Sequence, residues 1–199
     1  MLTRIAVLVS GGGTNLQALI DAKGRGELPS GALVLVIASK PGVYALERAK
    51  RAGIPTAVIA RRDYPTREAH EAAMLAALAE AQAELIVLAG FLTVLSPHFV
   101  SRYPRRILNV HPSLIPSFCG DGYYGLRVHE AALAYGVKVT GATVHFVNEV
   151  TDGGEIILQK AVEVRDGDTP ETLQKRVMEQ AEWVLLPQAV EKVAKELQA

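Results

Sequence analysis

The clearest structural pattern in this chain is IAVLV-SGGGTN, residues 5–15. An apolar run that ends in glycines is typical of a buried strand leading into a tight turn. A helical pattern follows from about Asn15 to Ala22. A strand, a glycine-rich turn and a helix in this order predict the first unit of an α/β fold with a parallel sheet.

The alternation of strand and helix patterns continues along the chain. We predict further strands at 33–38, 56–60, 85–89 and 107–110, and helices at 43–51 and 66–83. After a loop-like segment beyond Pro112 come a helix near 128–134, an antiparallel pair of strands at 140–146 and 156–164, and a helical stretch at 171–197 that Pro187 should interrupt. The predicted fold is one α/β domain over residues 1–199, Rossmann-like, with a mostly parallel sheet, helices on both faces and an antiparallel edge after strand five.

Composition excludes several classes of function. The 21 basic and 21 acidic residues cancel, which gives no support for a nucleic-acid or membrane-surface partner. The only cysteine, Cys119, allows no intrachain disulfide and favours a reducing, cytoplasmic location, where we expect it to act as a small hydrophobe. The N-terminal apolar run is too short for a membrane span and lacks a cleavage-site pattern. Oligomeric state is left open.

The glycine loop at residues 10–15 lies where a helix N-terminus can bind an anion. It does not fit a dinucleotide fingerprint, because Leu16 replaces the third glycine and Ser39-Lys40 follows the second strand where an acid is expected. No Gly-Lys-Ser/Thr follows, which excludes a P-loop. A single phosphate on a smaller ligand fits best, and a tight turn without a ligand is the alternative.

Asn109 and His111 end the fifth predicted strand, and residues two apart on a strand point the same way. An amide that can stabilise an oxyanion beside an imidazole that can move a proton suits acyl-type transfer. The alternative is a capping asparagine with a structural histidine. Asp152 precedes two glycines and is by default a turn residue; if its loop folds back on the strand, its carboxylate can hold and charge His111.

These motifs together resemble one family. They are SGGGTNLQ (residues 10–17), AGF (89–91), NVHPSLIPSF (109–118), and TVHFV (143–147) with DGG (152–154). The chain resembles the phosphoribosylglycinamide formyltransferases along nearly its whole length. The N-x-HPSL-x-P pattern is shared with other folate formyltransferases, whereas the glycine loop followed by TNLQ is typical of this branch.

The resemblance implies the formyltransferase fold and direct formyl transfer from 10-formyltetrahydrofolate to the amine of glycinamide ribonucleotide, without a metal or a covalent enzyme intermediate. It implies that Asn109 stabilises the tetrahedral intermediate, that His111 donates a proton and that Asp152 raises the pKa of His111. The residues implied for the ribonucleotide are Gly13, Thr14, Asn15 and Glu182, and those for the folate are Arg67, Leu92, Thr93, Val94, Leu95 and Asn109.

Three regions depart from the family pattern: position 93, the residues around Glu182, and the loop at 119–125. Thr93 stands where many members have Arg, and Trp183 stands where His is common. The spacing around Glu182 is one residue longer, and the loop at 119–125 is also longer. The competing enzymes are a methionyl-tRNA formyltransferase and a formyltetrahydrofolate hydrolase, which would normally add a C-terminal and an N-terminal domain respectively. A non-catalytic nucleotide-binding module is the alternative outside enzymes.

Structural roles are expected for the remaining polar residues. His70 and His98 should lie on the surface, and the charged runs at 48–51 and 61–63 should be solvated faces. His129 and His145 are candidates for supporting positions around the site. No His, Cys and Asp residues have the spacing of a metal site.

Overall fold

A computed structural model describes residues 1–199 as seven strands and seven α-helices. The strands are β1 (Thr3–Val9), β2 (Gly31–Ala38), β3 (Thr56–Val58), β4 (Leu85–Leu88), β5 (Ile107–His111), β6 (Val139–Phe146) and β7 (Ile156–Glu163). The helices are α1 (Thr14–Gly24), α2 (Tyr44–Arg51), α3 (Arg67–Glu80), α4 (Pro97–Ser101), α5 (Leu126–Tyr135), α6 (Pro170–Val177) and α7 (Trp183–Glu196). A 3-10 turn spans Arg61–Asp63, and a π-helical segment spans Met178–Glu182.

All seven strands form one sheet in the order β3-β2-β1-β4-β5-β6-β7. Strands β1 to β5 pair in parallel, β6 pairs antiparallel with β5, and β7 pairs antiparallel with β6. The predicted mostly parallel sheet with an antiparallel edge is thereby confirmed. The strand order changes direction between β1 and β4, and open α/β sheets bind their ligands at the carboxyl ends of strands beside such a point.

Residues on β1 alternate between two hydrophobic cores, because successive side chains of a strand point to opposite faces. Ile5 and Val7 belong to a core of 29 buried residues shared with helices α1, α2, α6 and α7. Ala6 and Leu8 belong to a second core of 15 buried residues shared with α3 and α4. Helices therefore cover both faces, and every residue of the apolar run at 5–9 is buried.

Two helical details differ from the predictions. The C-terminal helical stretch is interrupted at Met178–Glu182, and Pro187 lies inside α7. A proline has a backbone angle that suits a helix and removes one hydrogen bond, and the buried face of α7 outweighs that loss.

Helix α4 was not predicted, because five residues are too few for a helical period. The Ser96 side chain caps it by accepting a hydrogen bond from Phe99 N–H.

None of the helices combines the length and the apolar character that crossing a bilayer requires.

Candidate active site

A cleft of about 660 Å³ opens at the carboxyl ends of β4 and β5. Its wall comes from loops that are distant in sequence and meet beside the point where the strand order reverses. The polar residues that line it include Asn15, Asn109, His111, His129, His145, Asp152 and Glu182, and the stretch Leu92, Thr93, Val94 and Leu95 forms a mostly apolar flank. Most of the predicted site residues therefore share one cleft.

Asp152 lies at the centre of the polar cluster. Its Oδ2 accepts a hydrogen bond from the backbone N–H of Gly120 at 2.9 Å and lies 3.5 Å from Nδ1 of His111. Its Oδ1 lies 3.4 Å from Nδ2 of Asn109 and 3.5 Å from Nε2 of His145. The carboxylate thus joins the end of β5 to the loop after it, and only 9% of its side chain is exposed.

The backbone of the β6–β7 connection explains how Asp152 reaches β5. Asp152 has a φ of 54°, in the left-handed region that non-glycine residues seldom adopt. Two residues later, a Cβ on Gly154 would lie 1.7 Å from the carbonyl oxygen of Phe146, so only glycine fits there. The turn packs directly on the end of β6, which directs the carboxylate back to His111.

Asp152 is held in its charged form. Burial acts to raise its pKa, but hydrogen bonding with His145, the positive charge at His111 and the N–H of Gly120 outweigh burial and hold the pKa below its ordinary value. A buried carboxylate that stays ionised provides a fixed negative charge beside the two imidazoles.

The ring of His111 lies between two acceptors. Its Nε2 is 2.9 Å from the carbonyl oxygen of Phe118, which can only accept, so Nε2 carries a proton. Its Nδ1 faces Asp152, so the doubly protonated ring places a donor against each acceptor. His111 is 4% exposed, and this arrangement suits an acid that delivers a proton inside the cleft.

His145 supports the Asn109 amide. Its Nδ1 lies 2.8 Å from the carbonyl oxygen of Phe146 and carries a proton there. Its Nε2 lies 3.2 Å from Nδ2 of Asn109 and 3.5 Å from Oδ1 of Asp152, to which it donates when it carries a proton. The NH₂ group of Asn109 is therefore held beside Asp152 and His145, at the edge of the cleft.

His129 also lines the cleft, on α5. It is fully buried, and neither ring nitrogen has a hydrogen-bond partner. Burial, with a smaller contribution from the charge of His111, lowers its pKa to about 4. The ring is therefore neutral near pH 7 and adds no second positive charge beside His111.

The glycine loop has the backbone of an anion site. Gly13 has a φ of 72°, and a Cβ there would lie 2.6 Å from the Cβ of Ala45 on α2. The N–H groups of Gly12, Gly13 and Thr14 donate to no backbone acceptor and stand at the N-terminus of α1. Free N–H groups at a helix start favour a phosphate or carboxylate.

Asn15 and Glu182 meet across the cleft. Nδ2 of Asn15 donates to Oε2 of Glu182 at 2.8 Å, and the two side chains are 8% and 6% exposed. Burial raises the pKa of Glu182, and the bond from Asn15 opposes that effect in part. Oδ1 of Asn15 is buried without a partner, which leaves an acceptor for a ligand hydroxyl or amine.

The π-helical segment accounts for the longer spacing around Glu182. A π turn takes one residue more than an α turn, so an extra residue can be absorbed locally. The segment ends at Glu182, which lines the cleft, and Trp183 starts α7 with its buried indole N–H unpaired.

The stretch 92–95 presents apolar side chains to the cleft. Leu92 and Val94 are 62% and 63% exposed, whereas Leu95 is buried and Thr93 is half-buried. Arg67 is not among the lining residues; its Nη2 donates to the carbonyl of Val94 at 2.9 Å, and its Nε pairs with Glu71 at 3.2 Å. Arg67 therefore holds this stretch from the side of α3.

Two predictions for polar residues outside the cleft are wrong. His70 is fully buried, with Nε2 3.1 Å from the carbonyl of Ile59, because α3 packs on the sheet through that face. Arg48 is not merely solvated, since its Nε donates to the carbonyl of Gly12 at 2.8 Å. His98 and the run at 61–63 are exposed as predicted.

Cys119 is half-buried, and burial together with the charge of Asp152 raises the pKa of its thiol.

The fold and the cleft are those of an α/β protein that binds a ligand at the carboxyl ends of its parallel strands. The chain belongs to the formyl transferase family, whose model, described as "Formyl transferase", matches residues 3–190. Within that family its relatives are phosphoribosylglycinamide formyltransferases, which confirms the resemblance read from the motifs.

Three similar proteins illustrate that placement. The phosphoribosylglycinamide formyltransferase of Haemophilus influenzae is 41% identical over 186 residues, which cover 94% of this chain and 84% of that protein. The solved glycinamide ribonucleotide transformylase 1 of Symbiobacterium toebii is 41% identical with a TM-score of 0.91, over 98% of this chain and 89% of that one. The trifunctional purine biosynthetic protein adenosine-3 of Gallus gallus is 48% identical over 191 residues, 96% of this chain. This chain spans only 18% of that larger protein.

Proposed function

We propose that this protein transfers the formyl group of 10-formyltetrahydrofolate to the amine of 5-phosphoribosylglycinamide, a step of de novo purine biosynthesis. The observation that carries the proposal is the grouping of Asn109, His111 and Asp152 in one cleft, next to a glycine loop with free N–H groups. The named relatives support it, because they share this family along most of the chain.

Asn109 and His111 supply the chemistry of acyl transfer. When the substrate amine attacks the formyl carbon, negative charge develops on the formyl oxygen, and the NH₂ group of Asn109 donates to it. The amine loses a proton and the departing folate nitrogen gains one, and the protonated His111 ring serves that exchange directly or through one water. Asp152 holds the ring in position and balances its charge.

Gly13 and Thr14 would bind the phosphate of the ribonucleotide through their backbone N–H groups. Asn15 and Glu182 would contact its sugar or glycinamide end, since the buried Oδ1 of Asn15 lacks a partner and both side chains face the cleft. The proposed substrate thus extends from the start of α1 to the end of β5.

The formylfolate would occupy the flank at 92–95. The residues there fit a flat pterin, because exposed Leu92 and Val94 provide apolar contact and backbone groups meet its polar edge. Thr93 has no positive charge to offer the folate tail. Arg67 donates a hydrogen bond to the carbonyl of Val94, so we assign it the role of holding residues 92–95 in place. The proposed co-substrate carries the formyl group itself, so the proposed transfer uses no metal.

The proposed partners are small molecules, and the proposed location is the cytoplasm. A tRNA-directed formyltransferase or a formylfolate hydrolase would use the same catalytic cluster, and a nucleotide-binding module would use only the glycine loop. The free N–H groups at the glycine loop favour a phosphorylated acceptor over water.

A coupled assay separates these functions. Purified protein is mixed with 10-formyltetrahydrofolate, and the loss of formylfolate is followed with glycinamide ribonucleotide, with initiator methionyl-tRNA, or with no acceptor. The proposal expects loss only with the ribonucleotide. Loss without an acceptor would identify a hydrolase, loss with tRNA would identify the other transferase, and no loss in any mixture would favour the binding module.

A further inference from the structure

Hydrogen bonds from helix α2 hold two peptide groups of the glycine loop in place. The carbonyl of Gly11 accepts from the N–H of Ala45 at 3.3 Å, and the carbonyl of Gly12 accepts from Nε of Arg48 at 2.8 Å. In a trans peptide the C=O and the following N–H point in opposite directions. When both carbonyls are held against α2, the N–H groups of Gly12 and Gly13 must point away from it.

Arg48 is itself held in place on three sides. Its Nη1 donates to Oε1 of Gln17 on α1 at 2.9 Å, so the guanidinium bridges the loop and the helix that follows it. The guanidinium carbon lies 4.8 Å from the centre of the Tyr44 ring, a stacking distance. Because the Arg48 guanidinium is held by its bonds to Gly12 and Gln17, it fixes the orientation of the Gly12–Gly13 peptide.

The Gly12–Gly13 peptide would lose its fixed orientation if that donor were removed. Gly13 already occupies the left-handed region, and the Cα of Ala45 lies 2.9 Å from where its Cβ would be. Glycine peptides rotate easily when nothing holds them. The bond from Arg48 is the only hydrogen bond that the carbonyl of Gly12 accepts.

We propose that Arg48 is a positioning residue for phosphate binding, which orients the Gly12–Gly13 peptide so that its N–H meets the phosphate of the acceptor. This rests on the proposed function, which places the phosphate at the glycine loop. Arg48 acts through the peptide and does not touch the reacting atoms.

The test compares glycinamide ribonucleotide with its dephosphorylated ribonucleoside in steady-state formylation. In the Arg48→Met protein we expect KM for the ribonucleotide to rise about tenfold, the scale of one well-placed hydrogen bond to a charged group. KM for the ribonucleoside, KM for formylfolate and kcat should stay within about twofold. The matched control is Arg51→Met, because Arg51 faces the same Tyr44 ring at 5.8 Å and makes no bond to the loop.

A second variant keeps the positive charge at position 48 but cannot make both hydrogen bonds, to Gly12 and to Gln17. Arg48→Lys should restore part of the lost affinity, because an ammonium can reach one acceptor but cannot form the rigid bridge to Gln17. Full restoration by Lys, or an equal KM increase for ribonucleotide and ribonucleoside, would overturn the positioning role. If the parent protein itself does not prefer the phosphorylated acceptor, the phosphate does not bind at the glycine loop, and the positioning role of Arg48 is also wrong. Failure of the parent to formylate either acceptor would instead reject the proposed function.

Discussion

Asp152 faces His111 across 3.5 Å, from Oδ2 to Nδ1, while the carbonyl of Phe118 faces the other ring nitrogen at 2.9 Å. The imidazole is therefore clamped between a charged and a neutral acceptor. The clamp depends on two residues in the left-handed region, Phe118 with a φ of 50° and Asp152 with a φ of 54°. Backbone conformations of this kind cost energy and are retained where their geometry is used.

Replacing Asp152 with Asn should lower kcat by about 10²–10⁴, the scale of lost general acid–base help. The amide keeps the shape but removes the charge that balances a protonated His111. KM for the ribonucleotide should change far less, because Asp152 is not assigned to the phosphate. Steady-state kinetics with both substrates varied is the measurement.

The control for that substitution is Asp168→Asn, because the little-exposed carboxylate of Asp168 pairs with Arg176 and does not line the cleft. It should lower stability and leave kcat near the parent value. If the Asp152→Asn protein folds, judged by circular dichroism, and retains kcat within a few-fold, the role proposed for Asp152 is wrong.

Local sequence patterns were sufficient to predict the sheet. The run at 5–9 and the later apolar segments each form a strand, and their bounds agree with the structure to within a few residues. What failed were features set by three-dimensional packing. His70 looked exposed because its helix lacks a clear apolar stripe, and the π segment at Met178–Glu182 has no residue signature of its own.

The candidate site was predictable only in part. The spacing of Asn109 and His111 was readable from strand geometry, and both line the cleft. The approach of Asp152 needed a turn that folds back over β5, which the sequence alone left open. The contacts of Gly120, Phe118 and Arg48 could not be predicted, because backbone groups and long-range hydrogen bonds leave no pattern in the sequence.

Asn109 offers a second kinetic prediction. Asn109→Ala removes the donor to the developing oxyanion and should lower kcat by about 10²–10³, the scale measured for one such donor. His145→Phe should have a smaller effect on kcat, because it removes only the support of the amide. Equal losses for the two variants would mean that His145 takes part in the chemistry directly.

The glycine loop gives a matched pair of substitutions. Gly13→Ala should destabilise the fold by roughly 1–3 kcal/mol, because the left-handed backbone is strained and the new Cβ clashes with Ala45. Gly12→Ala should cost much less, since a Cβ there meets nothing within 4 Å. Urea denaturation compares the two stabilities.

The same loop should discriminate between the two substrates. Gly13→Val should weaken ribonucleotide binding far more than binding of a folate analogue, since only the ribonucleotide is proposed to contact the loop. Isothermal titration with each ligand measures the difference, and NAD serves as a negative control because the dinucleotide pattern is broken at Leu16. Equal losses for both ligands would count against the phosphate site, and tight NAD binding would contradict the folate assignment.

Glu182 should make the stability of the folded protein depend on pH. Burial raises its pKa in the folded state above the value in the unfolded chain, so between these two values the folded protein binds more protons. Its neutral form is therefore favoured on folding, and stability falls as the pH rises from near the unfolded pKa through the folded one. Glu182→Gln removes this loss, so the variant should gain thermal stability over the parent at pH 8 and little at pH 4.

Scanning calorimetry at both pH values measures that gain, which should amount to roughly 2–4 °C for each kcal/mol in a chain of this size. Glu179→Gln is the control, because Glu179 lies in the same π segment and its side chain is about half exposed. The uncharged amide at position 182 can still accept from Asn15, so the gain reflects the charge and not a lost contact. A stability difference of the same size at both pH values would show that the buried charge of Glu182 does not destabilise the fold.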